Sequence, residues 1–481
     1  MTTPPKNRYS RVAPRFESRG VRRVETAPDT DAGVMPVQAD IPLPSDRSMR
    51  ARLTTLGQNV ASGAPTILAF IFILSLMLPI PMRLGSIFLQ PYRIFLLLVF
   101  VPLFFQLISG KAGRLLLVDW LMFGSALWAM LALFMNHPFA LVFETAGLYM
   151  AEFFGAYMLG RVAIRSGADF QRMVRFFFMI VLVLFPFAAI ESLTHIPILL
   201  DLIPGSIQPV NAGVRLGLRR AQTVFAHPIH YGAFVSIAFG LAWYAFNPLS
   251  SFFARLARSC VIVLSTLFSL STGALLAIVF QTIFILWELV MKANKSRWRL
   301  FAWLSVASYI FVDLLATRSP FHVIVNYATF SSGSAYNRIL IWKYGTDNVI
   351  EHPLFGLGLN DWARPSWMSP SIDNYWLLIA MRYGLPTLLM FAAVIFLIIR
   401  RSSRIPMSNA TDRASRAGYL TALGGVVIAG GTVHYWHGIG ALVVFFISSG
   451  VWMLTDTVET SEQGPEPGPP DRRRAGVGRR P

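Results

Sequence analysis

One cysteine, Cys260, occurs in 481 residues, and it lies inside an apolar run. No intramolecular disulfide and no cysteine-rich metal site can therefore form. Charge is also scarce: 14% of residues are charged, against 54% hydrophobic and 13% aromatic. Soluble domains are about 25% charged, so an ordinary soluble globule is excluded, and the apolar runs are long enough to cross a hydrocarbon core repeatedly. These runs lack the period-two alternation of a membrane barrel. What remains is an all-α polytopic membrane protein. No ligand spacing of a zinc site, no Gly-x-x-x-x-Gly-Lys loop and no Asp-x-Asp pair in an outer loop is present, so neither a metal nor a cofactor is expected.

What the chain does carry is a net charge of +18, placed in the termini and in short loops between apolar runs. That distribution fits the positive-inside bias and attraction to anionic membrane lipids, and gives no reason to expect nucleic acid as a partner. Residues 1–62 read as a disordered basic cytoplasmic tail, whose arginines (Arg8, Arg11, Arg15, Arg19, Arg22 and Arg23) are either simply solvated or hold a lipid or partner. Residues 63–317 contain the first nine expected crossings. Lys111 and Arg114, then Arg161, Arg165, Arg172 and Arg175, mark basic loops on the cytoplasmic side. Glu144, Glu152 and Glu191 fall in or at the ends of these helices, where a carboxylate is costly and is either structural or functional. A first outer loop covers about 195–228.

From Cys260 to Met291 about 32 apolar residues lie between two basic flanks, too long for one crossing and too short for two full ones. A hairpin of two short helices broken near Ser269-Leu-Ser-Thr-Gly273 is expected. The large outer loop, 318–373, is too long to be a mere connection. Within it Ile339, Trp342, Val349 and Ile350 approximate one face of a helix over 335–350, ended by Pro353, Gly356 and Gly358. Residues 374–455 hold three further crossings, the first divided by Gly384 and Pro386. The tail 456–481 reads as disordered. The total is about 12 transmembrane helices with both termini inside.

Outside the membrane stand Arg215, Arg219, Arg220, His227 and His230 from the first loop, and Arg338, Arg364 and Asp373 from the second. Converging guanidinium forks suit a phosphate or pyrophosphate; single interface arginines more commonly snorkel to lipid phosphates or pair locally. Asp373 opens a helix, where it either caps backbone N–H groups or, facing a polar cavity, takes a proton from a sugar hydroxyl. His352, His434 and His437 read as hydrogen-bonded interface residues. Trp362, Trp367, Tyr375 and Trp376 suit sugar stacking and an interfacial belt equally well.

Four patches, in order, resemble one family. Arg220-Ala-Gln-Thr-Val-Phe-Ala-His-Pro-Ile-His-Tyr-Gly232 resembles the first-loop signature of the O-antigen ligase and O-antigen polymerase superfamily, and Ser269-Leu-Ser-Thr-Gly-Ala274 its hairpin motif. Arg338-Ile-Leu-Ile-Trp342 with His352-Pro-Leu-Phe-Gly-Leu-Gly358 is similar to the start of its large outer loop, and Asp373-Asn-Tyr-Trp-Leu377 with Tyr383-Gly384 to its final outer helix. The resemblance implies a metal-independent glycosyltransferase of the bacterial inner membrane. Such an enzyme works on its periplasmic face in surface polysaccharide biosynthesis, with a lipid-linked oligosaccharide donor on undecaprenyl pyrophosphate and a glycan or lipid acceptor. Other polysaccharide assembly proteins are candidate partners. By the same resemblance Arg220 and Arg338 hold the pyrophosphate; the chemistry of the residues themselves adds Asp373 as an assisting base and Arg215, Arg219, Arg364 and Trp376 as substrate contacts. Family ligases commonly carry His-Asn where this chain has Asp373-Asn374, which shifts the expectation toward a polymerase or an exopolysaccharide enzyme. The competing class is a transporter or flippase without catalysis, and a third is an assembly scaffold.

Overall fold

The computed structural model describes residues 66–85, 87–315, 332–407 and 409–454. The basic tail with its arginines, residues 316–331 with the start of the large loop, and the tail from 456 lie outside the described residues. In chain order the helices are α1 (Thr66–Leu76), α2 (Pro91–Ile108), α3 (Leu117–Asn136), α4 (Phe139–Ala163), α5 (Gly167–Thr194), α6 (Ile198–Leu202) and α7 (Pro228–Gly240). They continue with α8 (Phe252–Ser269), α9 (Thr272–Val290), α10 (Arg297–Leu315), α11 (Ser332–Glu351), α12 (Tyr375–Ser402), α13 (Ala410–Gly430) and α14 (Gly438–Ser448). The chain is mostly helical, and eight of these helices (α2, α3, α4, α5, α8, α9, α10 and α12) are long and apolar enough to cross a membrane. The all-α expectation needs one amendment: two antiparallel hairpins are present, β1 (Met82–Leu84) with β2 (Ile87–Leu89), and β3 (Val214–Arg215) with β4 (Leu218–Arg219). Gly217 at φ 76° makes the second turn tight enough to set Arg215 and Arg219 on neighbouring strands.

The expected pair of short helices is corrected in length. The break falls where the hydroxyl and glycine cluster placed it, at Leu270 (φ 46°), but α8 already begins at Phe252 and runs 18 residues, and α9 runs 19. At 1.5 Å per residue each is about 27 Å long, close to a full crossing. Arg255 and Arg258 lie inside the first turns of α8 because their guanidinium groups find the carbonyls of Pro248, Ser250 and Ala242. Arg161, expected in a basic loop, is instead 1% exposed near the end of α4. It lies against Asp119 at 3.4 Å and donates to the carbonyls of Ala112 and Arg114, while the Tyr157 hydroxyl donates to the same carboxylate at 2.7 Å. A buried guanidinium survives only with such partners.

The helix expected at 335–350 is α11, but its buried face is different. Leu340, Ile341 and Val349 are buried, while Trp342 and Ile350 are exposed. The partner sets this phase: Gly345 approaches Leu377 and Met381 of α12 closely, and the buried residues join Trp362, Met368, Ile372, Leu378 and Met381 in a small core of their own. This satellite is seated on the rest of the molecule through the segment 352–359. Trp128 of α3 donates to the Leu354 carbonyl at 2.9 Å and stacks on Phe355. Asn136 donates to the Phe355 carbonyl, and His137 accepts from the Leu359 N–H.

Candidate functional site

Gly384 divides α12 as expected, with φ 80° and ψ 167°. The interruption leaves carbonyls of the preceding turn without helical partners, and the His352–Gly358 motif supplies them. The N–H of Leu357 donates to Met381 at 2.7 Å, that of Gly358 to Arg382 at 2.9 Å, and Leu385 returns one to Pro353 at 2.7 Å. Gly356 and Gly358 have φ of 60° and 62°, which bends the segment across the break. The first part of α12 is thereby fixed against α11, with Arg338 on α11 and Asp373 just before α12.

The break between α8 and α9 works similarly. Its freed carbonyls are taken by the first loop: Arg215 Nη1 donates to Leu270 at 2.9 Å, Arg220 Nε to Ser269 at 3.3 Å, and the Ala221 N–H to Phe268 at 2.8 Å. Cations at a helix C-terminus are also favoured by its dipole. Arg338 Nε donates to the Thr432 carbonyl at 3.2 Å. Among the described residues each of the three guanidinium groups is thus tethered by one nitrogen, which leaves further N–H donors.

All three arginines line one cleft of about 220 Å³, together with Asp373, Asn337 and the hairpin residues Ser271 and Thr272. Burial pulls the Arg220 guanidinium down to about 10, with Arg215 adding to the shift and Asp373 opposing it. Arg338 is lowered by burial, against the pull of Asp373, and Arg215 by burial alone. All remain cationic near neutral pH. Among the described residues, three guanidinium charges against one carboxylate leave the cleft with an excess of two positive charges.

Asp373 is not the helix cap. Asn374 occupies that position, its Oδ1 accepting from the Leu377 N–H at 3.1 Å, and Asp373 Oδ1 accepts from the Ser371 hydroxyl at 3.1 Å. One residue's displacement decides the matter, because Asn caps as well as Asp. The Asp373 carboxylate is left half-buried in the cleft.

The other candidates do not line it. Arg219 donates to the His195 carbonyl at 2.7 Å, closing the end of α5. Arg364 pairs with Asp361 at 2.6 Å, donates to Met368 and lies over the Trp362 ring, holding its own loop together. Trp376 donates to the Val427 carbonyl at 2.9 Å and packs on Gly430 of α13. Glu152 is engaged by Arg93 and Tyr92. Glu191, 2% exposed, has a role that the sequence leaves open: its carboxylate accepts the N–H groups of Gln222 and Thr223, at 3.1 and 2.8 Å. The neighbouring Ser192 hydroxyl donates to the Arg219 carbonyl at 2.9 Å. The end of α5 therefore grips the backbone on both sides of Arg220. Its only sequence signal is a carboxylate at the end of an apolar run.

No curated protein matches the chain. Residues 259–392, which include the hairpin break, Arg338, Asp373 and Gly384, match the family model described as O-Antigen ligase, and this match supports the O-antigen ligase and polymerase superfamily for the chain.

Proposed function

We propose that the chain is a multi-pass glycosyltransferase of the bacterial inner membrane that polymerises or ligates oligosaccharide units carried on undecaprenyl pyrophosphate. The observation that carries this reading is the convergence of Arg215, Arg220, Arg338 and Asp373 in one cleft. A polyprenyl pyrophosphoryl sugar is a diester with one negative charge on each phosphate, and the cleft's excess of two positive charges matches it. An acceptor hydroxyl oxygen attacks the anomeric carbon, the bond from that carbon to the pyrophosphate oxygen breaks, and the lipid pyrophosphate leaves. Asp373 takes the hydroxyl proton. Arg220 and Arg338, supported by Arg215, stabilise the charge gathering on the leaving group, in place of a metal. The tethers suit this task, since pre-aimed donors need no reorganisation as charge develops.

In this reading the chain crosses the membrane twelve times, α1, α7, α13 and α14 adding to the eight long apolar helices, and the cleft faces the periplasm. The Asp373-Asn374 pair favours polymerisation over ligation.

The test is complementation of a gene deletion with Arg220→Ala, Arg338→Ala or Asp373→Asn. Each variant is expected to reach the membrane and fail to restore full-length surface polysaccharide; full restoration would overturn the reading. In the deletion strain, single repeat units in the product indicate polymerisation, and long chains stranded on the lipid carrier indicate ligation.

A further inference from the structure

We propose that Trp436 and the histidines around it, His227, His230, His434 and His437, form a binding subsite for an uncharged sugar of the glycan substrate, beside the arginine cleft. The proposal rests on the reading of that cleft given above and extends it to the neutral part of the same substrate. The Trp436 ring lies 4.1 Å from His230, 5.2 Å from His434 and 5.5 Å from His227, and His230 is 6.3 Å from His437, centroid to centroid. The cluster adjoins the cleft along the chain: Ile229 and Val433 line the cleft, and His230 and His434 directly follow them.

An interfacial belt accounts for an aromatic residue at this level, but not for His230. That side chain is 2% exposed, and its Nε2 has no hydrogen-bond partner among the described residues. Buried polar atoms are rarely left so. His230 lines, with His437 and Gln90, a cavity of about 30 Å³, room for one hydroxyl-sized group. His437 is held beside it at φ 52° and ψ −142°, close to a backbone region essentially confined to glycine. Such outliers concentrate where function over-determines the backbone.

The chemistry of the cluster is neutral. Burial, then Arg220 and Arg215, pull His227 down to about 4, and burial, then Arg382 and His437, pull His434 down to about 3. Near neutral pH these imidazoles are uncharged, each with one N–H donor and one acceptor nitrogen. In His227 the Nδ1 atom accepts from the Ile229 N–H at 3.1 Å, which places the proton on Nε2. Paired donors and acceptors around an indole face match the hydroxyls and C–H face of a sugar. An anion would find nothing to prefer here over the neighbouring arginines.

Two probes separate the subsite from the cleft: undecaprenyl pyrophosphate, which has no sugar, and the lipid-linked oligosaccharide extracted from the deletion strain. Binding of each is measured on purified full-length protein in detergent. Trp436→Ala is expected to weaken the sugar-bearing lipid by about tenfold or more and to leave the sugar-free lipid within about twofold. The exposed His437→Ala should act in the same direction with an unchanged melting midpoint, whereas Arg338→Ala should weaken both lipids. If both variants lower the two affinities equally, or neither, the subsite is refuted while the cleft stands. If the wild type binds neither lipid, the cleft reading and the subsite fall together.

Discussion

At the scale of single residues, the helix cap that either Asp373 or Asn374 could form falls to Asn374, which leaves the Asp373 carboxylate for the proton. Asn374 holds the first turn of α12, so losing it should cost stability, about 1 kcal/mol for a cap, and little chemistry. Asp373 makes no cap, so Asp373→Asn should leave the melting midpoint in place and lower transfer by about 100-fold or more, the usual contribution of a general base. Melting curves and polysaccharide yield of Asp373→Asn and Asn374→Ala, side by side, check this, and the opposite pattern would return Asp373 to a structural role. The sequence marks Arg215, Arg220, Arg338 and Asp373 because charge in an outer loop is conspicuous against so apolar a background. It does not separate them from Arg219 and Arg364. Which carbonyl a guanidinium reaches depends on where the loops close in space, and Arg219 finds the end of α5 while Arg220, one residue on, finds the end of α8. The histidines carry a pH dependence of definite sign. His227 and His434 have folded-state values near 4 and 3, below the ordinary 6.5, so between these limits the unfolded chain binds more protons. Their contribution is complete above about pH 6.5 and is lost as pH falls. The melting midpoint should drop between pH 7 and 5.5, and less so in a His227→Gln, His434→Gln double variant; equal drops in the two proteins would contradict the assignment.

Among the elements, the two helix breaks are what build the site, and each is completed by a different stretch of chain. The α8–α9 break is capped by Arg215 and Arg220, and the α12 break by the N–H groups of the 352–358 segment. Both positions are legible in sequence, one from a hydroxyl and glycine cluster and the other from Gly384 near Pro386, because breakers act locally. What completes each break is not legible, since the partners come from far along the chain. The same limit explains the misplaced face of α11: only the contact with Leu377 and Met381 fixes its phase. Gly384 is the position where the design is least tolerant. At φ 80° an L-residue is strained, and a Cβ there would stand 2.0 Å from the Leu354 carbonyl oxygen. Gly384→Ala should therefore destabilise the protein by more than the ~1 kcal/mol of the backbone conformation alone, seen as lost monodisperse protein after detergent extraction. A variant with the wild-type yield and melting midpoint would show that the segment is free to move away.

On the scale of the whole molecule, the helical class and the repeated crossing were readable from composition, because a chain with so few charges has few ways to satisfy its backbone in lipid. The sidedness rests on a different signal, the distribution of Lys and Arg, and here the molecule is in tension with the rule. The loop between α9 and α10 is basic, as a cytoplasmic loop should be, yet the cleft on the proposed outer side also holds three arginines. Their tethers resolve the tension, because guanidinium groups bound to helix-end carbonyls serve the site and do not set the orientation of a crossing. The consequence can be measured. In a Cys260→Ser background, Ser371→Cys and Asn211→Cys, both exposed beside the cleft's loops, should react with a membrane-impermeant maleimide added to cells with a permeable outer membrane. Asn294→Cys, exposed in the α9–α10 loop, should react only after the inner membrane is opened. The reverse pattern would place the arginine cleft on the cytoplasmic face, where the positive-inside rule alone would explain its charge and the case for a periplasmic transferase would lose its geometry.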